Sequence, residues 1–289
     1  AFENVTLKNA SDATDVVLGN GGDKGLTVTF AAGSKAKNVT VRNYADGTVN
    51  DLAINGPIAA AAGIALTNDE GNLTTTGAME AESSDIREMA EGSLTNKGSL
   101  NARQDIIQQA GQSAANEANL TAGRDIISTA GKDLTDGGAL SAGRNVSLTA
   151  GSGSITNGGA VTADQNVTMT AGDSIENQAA VTAAKAALSL TAQKDIAQQG
   201  DATAGTSVLM DSQKQGNIAV TGDVTSGTST ALKTKDGSIT AGTAGQKKRI
   251  QAGTTAALTS ETGDIIVQGT VASQQGAKLS TARKGDILV

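Results

Sequence analysis

The chain alternates apolar and polar residues in short runs, and these runs recur every 20 or 21 residues. In the block from 131 to 150, Leu140 and Ala142 flank a serine, and Val146, Leu148 and Ala150 alternate with Ser and Thr. Strict alternation of this kind is typical of a short β-strand with one buried face. Two apolar positions mark the repeat, the first filled by Met79, Leu100, Leu120, Leu140, Val161 and Val181, and the second by Ile86, Ile106, Ile126, Val146, Val167 and Ala187.

Each repeat has room for three strands of about 3–5 residues joined by glycine-rich corners, but not for a helix. A single coil buries too little apolar surface to offset the entropy of ordering about 20 residues, so neighbouring coils must stack. The sequence therefore predicts an all-β solenoid, a parallel β-helix with coils of 20–21 residues. Antiparallel hairpins are the alternative, suggested by the turn-forming pairs Asn55-Gly56, Asp136-Gly137, Asn157-Gly158 and Asp236-Gly237.

One polar position favours parallel stacking over hairpins. An Asn or Asp recurs there at intervals of 20, 20, 21 and 20 residues, while the residue that follows it varies. In a parallel, in-register stack, each side-chain amide can bond the same position of the next coil, whereas hairpins would separate these positions. The predicted corner ladder consists of Asn96, Asn116, Asp136, Asn157 and Asn177.

The regular repeats occupy residues 51–289, enough for about eleven coils. Residues 1–50 are less regular and are predicted to form irregular N-terminal coils of the same β-helix, two or three in number by the spacing of short apolar runs. Ile239 and Ile265 are 26 residues apart, against 21 for Ile218 and Ile239, which predicts a protruding loop around 245–249. Because residues 285–289 restart the pattern of 263–267, we expect a fragment of a longer chain.

Composition limits the chemistry that this chain can perform. It contains no cysteine and no histidine, and its only aromatic residues are Phe2, Phe30 and Tyr44. Disulfides, thiolate or imidazole metal ligands, and catalytic groups that require Cys or His are therefore excluded. Without the long loops and aromatic platforms that β-helix enzymes use to hold sugars, we expect no enzymatic activity, no cofactor and no metal.

Charge and hydropathy restrict the partners. The net charge of −7 argues against a nucleic-acid partner. The longest weakly polar run, residues 57–66, is about half of the ~20 residues that a membrane-spanning helix needs, so we expect no membrane-spanning segment.

The repeats resemble those of filamentous haemagglutinin and related exoproteins of two-partner secretion, which read approximately G-x-[LI]-x-N-x-G-x-[LV]-x-A-G-x-x-[LIV]-x-[LIV]-x-A. The similarity is good from about Leu73 to Ala192 and looser as far as Val289. One matching set is Gly92, Leu94, Asn96, Gly98, Leu100, Ala102, Ile106 and Ala110, and a second is Gly151, Ile155, Asn157, Gly159, Val161, Ala163, Val167, Met169 and Ala171.

This resemblance implies a right-handed β-helix that forms the structural shaft of a secreted adhesin on the surface of a Gram-negative bacterium, with roles in cell adhesion, biofilm formation and virulence. It implies an outer-membrane secretion pore as the partner during export, and a host-cell receptor or glycan, or neighbouring bacteria, as later partners. Two alternatives stay open. The chain could be the stick portion of a contact-dependent-inhibition toxin-delivery protein, or a β-helix module that itself binds a host glycan or receptor.

Two groups of residues are candidate sites. Lys247, Lys248 and Arg249 form the one concentrated basic cluster of an acidic chain, and they could bind sulfated glycans or other anions, or simply keep a loop soluble. Asn-x-Ser/Thr triplets are candidate glycosylation sites, although a corner Asn followed by an inward apolar residue and an outward Thr produces the same triplet. These triplets begin at Asn4, Asn9, Asn38, Asn72, Asn119, Asn145 and Asn166.

Overall fold

All regular elements are β-strands in a computed structural model of the protein, which describes residues 4–8, 11–21, 24–44 and 49–289. Within those ranges there is no helix. The chain divides into two compact units, here called unit 1 (Ala1–Gly143) and unit 2 (Arg144–Val289).

The described residues of unit 1 form 19 strands, most of them three to five residues long. In chain order they are β1 (Asn4–Leu7), β2 (Val16–Asn20), β3 (Lys24–Phe30), β4 (Lys35–Ala36), β5 (Val39–Asn43), β6 (Val49–Asn55), β7 (Ile58–Ala60), β8 (Ile64–Asn68), β9 (Leu73–Thr75), β10 (Met79–Ala81), β11 (Ile86–Ala90), β12 (Leu94–Asn96), β13 (Leu100–Ala102), β14 (Ile106–Ala110), β15 (Ala114–Asn116), β16 (Leu120–Ala122), β17 (Ile126–Ala130), β18 (Leu134–Asp136) and β19 (Leu140–Ala142).

Unit 2 contains the remaining strands, and its longest ones lie towards its C-terminal half. They are β20 (Val146–Ala150), β21 (Ile155–Asn157), β22 (Val161–Ala163), β23 (Val167–Ala171), β24 (Ile175–Asn177), β25 (Val181–Ala183), β26 (Leu188–Ala192), β27 (Ile196–Gln198), β28 (Ala202–Ala204), β29 (Ser207–Gln215), β30 (Ile218–Val220), β31 (Val224–Ser226), β32 (Ser229–Asp236), β33 (Ile239–Ala241), β34 (Lys248–Ala252), β35 (Thr255–Ser260), β36 (Ile265–Val267), β37 (Gly269–Ser273), β38 (Ala277–Thr281) and β39 (Ile287–Leu288).

Within each unit the strands form three parallel sheets. In unit 1 the first sheet has the order β1-β3-β6-β9-β12-β15-β18, the second β4-β7-β10-β13-β16-β19, and the third β2-β5-β8-β11-β14-β17. In unit 2 the corresponding orders are β21-β24-β27-β30-β33-β36-β39, β22-β25-β28-β31-β34-β37 and β20-β23-β26-β29-β32-β35-β38. The chain visits the three sheets in turn, so each unit is a parallel β-solenoid with coils of about 21 residues.

The predicted fold class is confirmed, and the hairpin alternative is wrong. Neighbouring strands of a sheet pair in parallel at the spacing of the sequence repeat, as in Leu100↔Leu120↔Leu140. The one isolated antiparallel bridge among the described residues joins Thr243 to Gln246, outside the sheets. The third sheets contain six strands among the described residues of unit 1 and seven in unit 2. Eleven of these strands, β8 and those that follow it in the third sheets, lie within residues 51–289.

The core lies between the three sheets of each coil and consists of small and medium aliphatic side chains. In β20, Val146, Leu148 and Ala150 are at most 1% exposed, whereas the residues between them are partly exposed. The alternation seen in the sequence is therefore the alternation between the core face and the solvent face of each strand.

One position of the predicted repeat is wrong by one residue. Val167 pairs with Leu188, not with Ala187, because the connection between β25 and β26 is one residue longer than the connection one coil earlier. Ala187 instead lies at the corner before β26, where its N–H donates to Oδ1 of Asn166 at 3.2 Å. Alanine fills core and corner positions equally well in this chain, so the pattern alone did not distinguish the two.

Glycine at the corners permits close stacking. A Cβ atom added at Gly98 would lie 1.9 Å from the carbonyl oxygen of Gly77, one coil earlier. A side chain at this position would force the backbone to shift, so glycine allows the two coils to stack as closely as they do here.

Candidate functional site

The basic cluster lies at the end of an insertion that lengthens one coil of unit 2. Between Ala241 and Ile250 the chain makes a short excursion in which the backbones of Thr243 and Gln246 bond each other at 3.1 and 2.9 Å. Residues 243–247 are all exposed. The predicted protruding loop is therefore present, and it ends at the first residue of β34.

The strand separates the three cations. Lys247 is exposed at the end of the loop, and the next two residues begin β34, where Lys248 is half-buried and Arg249 is exposed. Because successive side chains of a strand point to opposite faces, Lys248 and Arg249 do not share one surface. The backbone N–H of Arg249 also donates to Oδ1 of Asp223 at 2.8 Å, which places a carboxylate beside the cluster. An anion would meet two cations and a neighbouring negative charge.

The glycosylation triplets lie mostly at corners. Five of the asparagines come one residue before a strand, and in each the side-chain oxygen accepts a backbone N–H from the next coil; they are Asn38, Asn72, Asn119, Asn145 and Asn166. Three of them also donate their amide group to an oxygen of the preceding coil: Asn38 to Asp15 at 2.9 Å, Asn72 to Asp51 at 3.0 Å and Asn166 to Asn145 at 3.0 Å.

The other two triplets differ. Asn4 is exposed in β1, and Asn9 lies outside the described residues. In three of the five corner triplets, the nitrogen that would receive a sugar thus already donates a hydrogen bond. In all five the side-chain oxygen accepts one, which gives these asparagines a structural use whether or not they are modified.

The predicted corner ladder is buried inside the solenoid rather than exposed at a bend. Its members are the last residues of strands in the first sheets, and all are at most 2% exposed. In unit 1, Nδ2 of Asn116 donates to Oδ1 of Asp136 at 2.7 Å. In unit 2, Asn157 donates to Asn177, which donates to Oε1 of Gln198 at 3.0 Å. No direct bond joins Asn96 to Asn116; Asn96 instead bonds Thr75.

Sequence reasoning missed a second group of buried polar residues in unit 1. Glu88, Gln108 and Ser128 occupy successive coils at the middle inward position of the third sheet, and each is at most 1% exposed. The same position holds Leu148 in unit 2, so a polar residue in an otherwise apolar register was the available signal. A third buried row, Asn20, Asn43 and Asn68, ends the third-sheet strands nearer the N-terminus; its amides bond one another at 2.7 and 3.0 Å.

In unit 1 the corner ladder and the group around Glu88 are joined by hydrogen bonds into an interior network. Gln108 and Asn116 exchange amide hydrogen bonds of 2.8 and 2.9 Å across the interior of unit 1, and Nε2 of Gln108 also donates to Oε2 of Glu88 at 2.6 Å. Burial raises the pKa of Glu88 to about 7, although the hydrogen bond from Gln108 and the contact with Thr75 oppose the shift. Burial likewise raises the pKa of Asp136 to about 6, against the hydrogen bond from Asn116.

The described surface has few other features that could carry chemistry. A groove of about 300 Å³ on the third sheet of unit 1 is lined by Asp15, Thr40 and Arg87 and is open to solvent. Within the described ranges, no group of three or more acidic side chains is arranged to hold a metal ion. None of the described residues belongs to a helix that could span a membrane.

No protein-family model, no curated protein and no solved structure matches this chain. The repeat pattern and the three-sheet parallel solenoid of each unit are thus the features that classify this chain. They define a β-solenoid repeat protein, and they do not identify a particular family.

Proposed function

We propose that this chain is a structural shaft segment of a secreted, surface-exposed bacterial adhesin that acts in cell adhesion or biofilm formation. On this proposal it carries no catalytic site. A secretion pore in the outer membrane is its partner during export, and the structures that it projects meet a host receptor, a glycan or neighbouring bacteria.

One observation carries the proposal: within each unit, hydrogen-bonding groups are directed along the stack. All three sheets pair each coil with its neighbours, and side chains at the corners add bonds between successive coils. For example, the backbone N–H of Asn217 donates to Oδ1 of Asp195 at 2.7 Å, and the backbone N–H of Ser238 donates to Oδ1 of Asn217 at 2.9 Å. Such stacking resists unfolding, because removing one coil breaks bonds on all three sides. A chain built in this way is suited to a mechanical role.

The amino-acid composition also supports the proposal. The chain lacks both cysteine and histidine, and its core needs no disulfide or metal to form. Such a chain can cross a periplasm unfolded and fold outside by stacking one coil on another. The stick of a contact-dependent-inhibition protein would use the same properties, so that alternative shares this support.

A display experiment tests the shaft. The chain is placed between a surface anchor and a single-domain antibody on a Gram-negative laboratory strain, and binding of the labelled antigen is measured with and without a capsule. We expect the inserted chain to restore antigen binding through the capsule, and we expect a Leu140→Lys version of the same length to fail. Equal binding by both versions would show that a folded shaft is unnecessary.

The basic loop supports a second candidate function, binding of an anionic glycan by the solenoid itself. Lys247 and Arg249 are exposed beside the one coil insertion of unit 2. The purified chain is tested on sulfated glycans and epithelial cells at two salt concentrations, beside a variant with all three basic residues changed to Ala. Saturable, salt-sensitive binding that this variant loses would establish a receptor-binding module. Absence of binding at micromolar concentration would support the shaft.

A further inference from the structure

Glu88 is a carboxylic acid in a position that the fold reserves for apolar side chains. It is the middle residue of β11, points into the interior of unit 1 and is 0% exposed. Its register neighbours are Leu66 in the preceding coil and Gln108 in the following coil. An ionised carboxylate at such a site would need a cation or several hydrogen-bond donors to offset the loss of water.

No cation faces this carboxyl from the described elements around it. β11 packs against β8 and β14 in its own sheet and against β9, β10, β12 and β13 across the interior. The charged side chains on all these strands are Glu80 of β10 and Arg87 of β11 itself, and both are exposed on the outer surface. Arg87 pairs there with Asp85 at 2.9 Å. The other ionisable group of the interior network, Asp136, is acidic too.

Two groups lie within hydrogen-bonding distance of the carboxyl. Nε2 of Gln108 donates to Oε2 at 2.6 Å, and Oγ1 of Thr75 is 3.0 Å from Oε1. The Thr75 hydroxyl oxygen is also 2.8 Å from Oδ1 of Asn96. A hydroxyl group has one proton, so Thr75 can donate to one of these two oxygens but not to both.

The orientation of the Asn96 amide decides which oxygen receives that proton. The backbone N–H of Gly98 donates to the same Asn96 atom at 3.3 Å, so this atom is the carbonyl oxygen and not the amide nitrogen. As an acceptor it takes the proton of Thr75. The remaining contact, between Thr75 and Glu88, then joins two oxygens and requires a proton from the carboxyl.

We propose that Glu88 is held inside unit 1 as a neutral acid that donates a hydrogen bond to Thr75, and that unit 1 therefore loses stability as the solution becomes alkaline. The chain of donation runs from Glu88 to Thr75 to Asn96, while the second carboxyl oxygen accepts from Gln108. Every contact then has one donor and one acceptor. Ionisation removes the first donor and leaves an uncompensated charge in an aliphatic core.

The direction of the pH effect follows from the two states. In the unfolded chain the pKa of Glu88 has its ordinary value of 4.5, and in the folded chain burial raises it to about 7. Below 4.5 both states are neutral. As the pH rises from 4.5 to about 7 the unfolded state ionises first, so the contribution of Glu88 to stability falls across that window and stays low above it.

The test compares the full-length chain with Glu88→Gln, since glutamine supplies an amide donor for Thr75 and an oxygen acceptor for Gln108 without ionising. Glu80→Gln, on the outer face of β10, is the matched control. Thermal unfolding is followed by far-UV circular dichroism at pH 5 and pH 8. The unfolding midpoint of Glu88→Gln, measured relative to that of the wild type, is expected to be about 5 °C higher at pH 8 than at pH 5. The midpoint of Glu80→Gln should change with pH in the same way as that of the wild type.

If the unfolding midpoints of Glu88→Gln and the wild type differed by the same amount at both pH values, the proposal would be overturned. A second measurement covers the outcome in which Glu88→Gln does not fold. In Asp136→Asn, which removes the other acid of the interior network, the infrared carbonyl band of a neutral carboxylic acid is titrated. We expect this band in the folded protein at pH 6 and its loss at pH 8 or in urea. Its absence at pH 6 would show that Glu88 is ionised when folded.

Discussion

The side-chain amide of Asn177 donates a hydrogen bond of 3.0 Å to Oε1 of Gln198, one coil further along unit 2. The same nitrogen donates to the carbonyl oxygen of Ala179 at 2.6 Å, and the side-chain oxygen accepts from Asn157. The side chains of Asn157, Asn177 and Gln198 are all fully buried. One amide thus connects three successive coils and also fixes the corner that follows its own strand.

Asn177→Ala is therefore expected to lower the free energy of unfolding by about 2–4 kcal/mol, because it leaves buried partners on both sides without a bond. Gln178→Ala, the adjacent exposed position, is the control and should change stability by less than about 0.5 kcal/mol. Urea unfolding followed by circular dichroism measures both. Similar midpoints for the two variants would mean that the buried amide row contributes little to stacking.

Asp136 provides a pH-dependent counterpart in unit 1. Its pKa is raised from 3.8 to about 6 by burial, so the unfolded state ionises before the folded state as the pH rises through this interval. Asp136→Asn keeps the oxygen that accepts from Asn116 and removes the ionisation. We expect it to stabilise the protein by about 3 kcal/mol at pH 8 and to have no such effect below pH 3.8.

The control for Asp136→Asn is Glu117→Gln, an exposed position in the same unit. Denaturant unfolding at a series of pH values separates the two variants. If Asp136→Asn were destabilising at pH 8, the carboxylate would have to be stabilised by contacts stronger than the single bond from Asn116.

The register of the core gives the most direct test of the fold. Leu140 is 1% exposed in β19 and pairs with Leu120, whereas its neighbour Ser141 is exposed on the same strand. Leu140→Lys would place an ammonium group in the core at a cost of more than about 3 kcal/mol. Ser141→Lys should be tolerated. Loss of the cooperative transition in the first variant and its retention in the second is the expected result, and the reverse would contradict the register.

Much of the fold could be predicted because the same pattern of inward and outward positions recurs in many successive repeats. An inward slot such as that of Leu100, Leu120 and Leu140 recurs at nearly constant spacing, so chance matches are averaged out. The long coil around 245–249 could also be predicted, since the interval of 26 residues from Ile239 to Ile265 exceeds the 21 residues from Ile218 to Ile239. Where the side chain does not distinguish core from corner, as at Ala187, the prediction was wrong by one residue.

The interior polar network could not be derived from the same pattern. Burial of Glu88 follows from its register, but a polar residue in an apolar slot is equally consistent with a local shift of the strand. Gln108, which bonds Glu88, and Asn116, which bonds Gln108, belong to different sheets. The distance between these two side chains depends on how the three strands of a coil are arranged around the core. Three-dimensional contacts of this kind are set by the width of the interior, which no single repeat encodes.

The glycosylation triplets can also be tested, because their asparagine amide groups differ in hydrogen bonding and should therefore differ in how readily they are glycosylated. Asn119 is exposed, and its side-chain oxygen accepts from Ala139 at 2.9 Å, while its amide group makes no hydrogen bond among the described residues. Asn72 donates its amide group to Asp51. Attachment of a sugar replaces one amide hydrogen and needs space around the nitrogen, so it would disturb the bond of Asn72 but not the bond of Asn119.

We therefore expect a purified N-glycosyltransferase with its sugar nucleotide to modify Asn119 in the folded chain at least about tenfold faster than Asn72, a ratio that corresponds to roughly 1.4 kcal/mol, about the value of one hydrogen bond. Peptide mass spectrometry measures the occupancy of each site. The urea-unfolded chain is the control and should lose this preference, because both triplets are then equally accessible. Equal rates in the folded chain would show that the corner hydrogen bonds do not protect these asparagines from glycosylation.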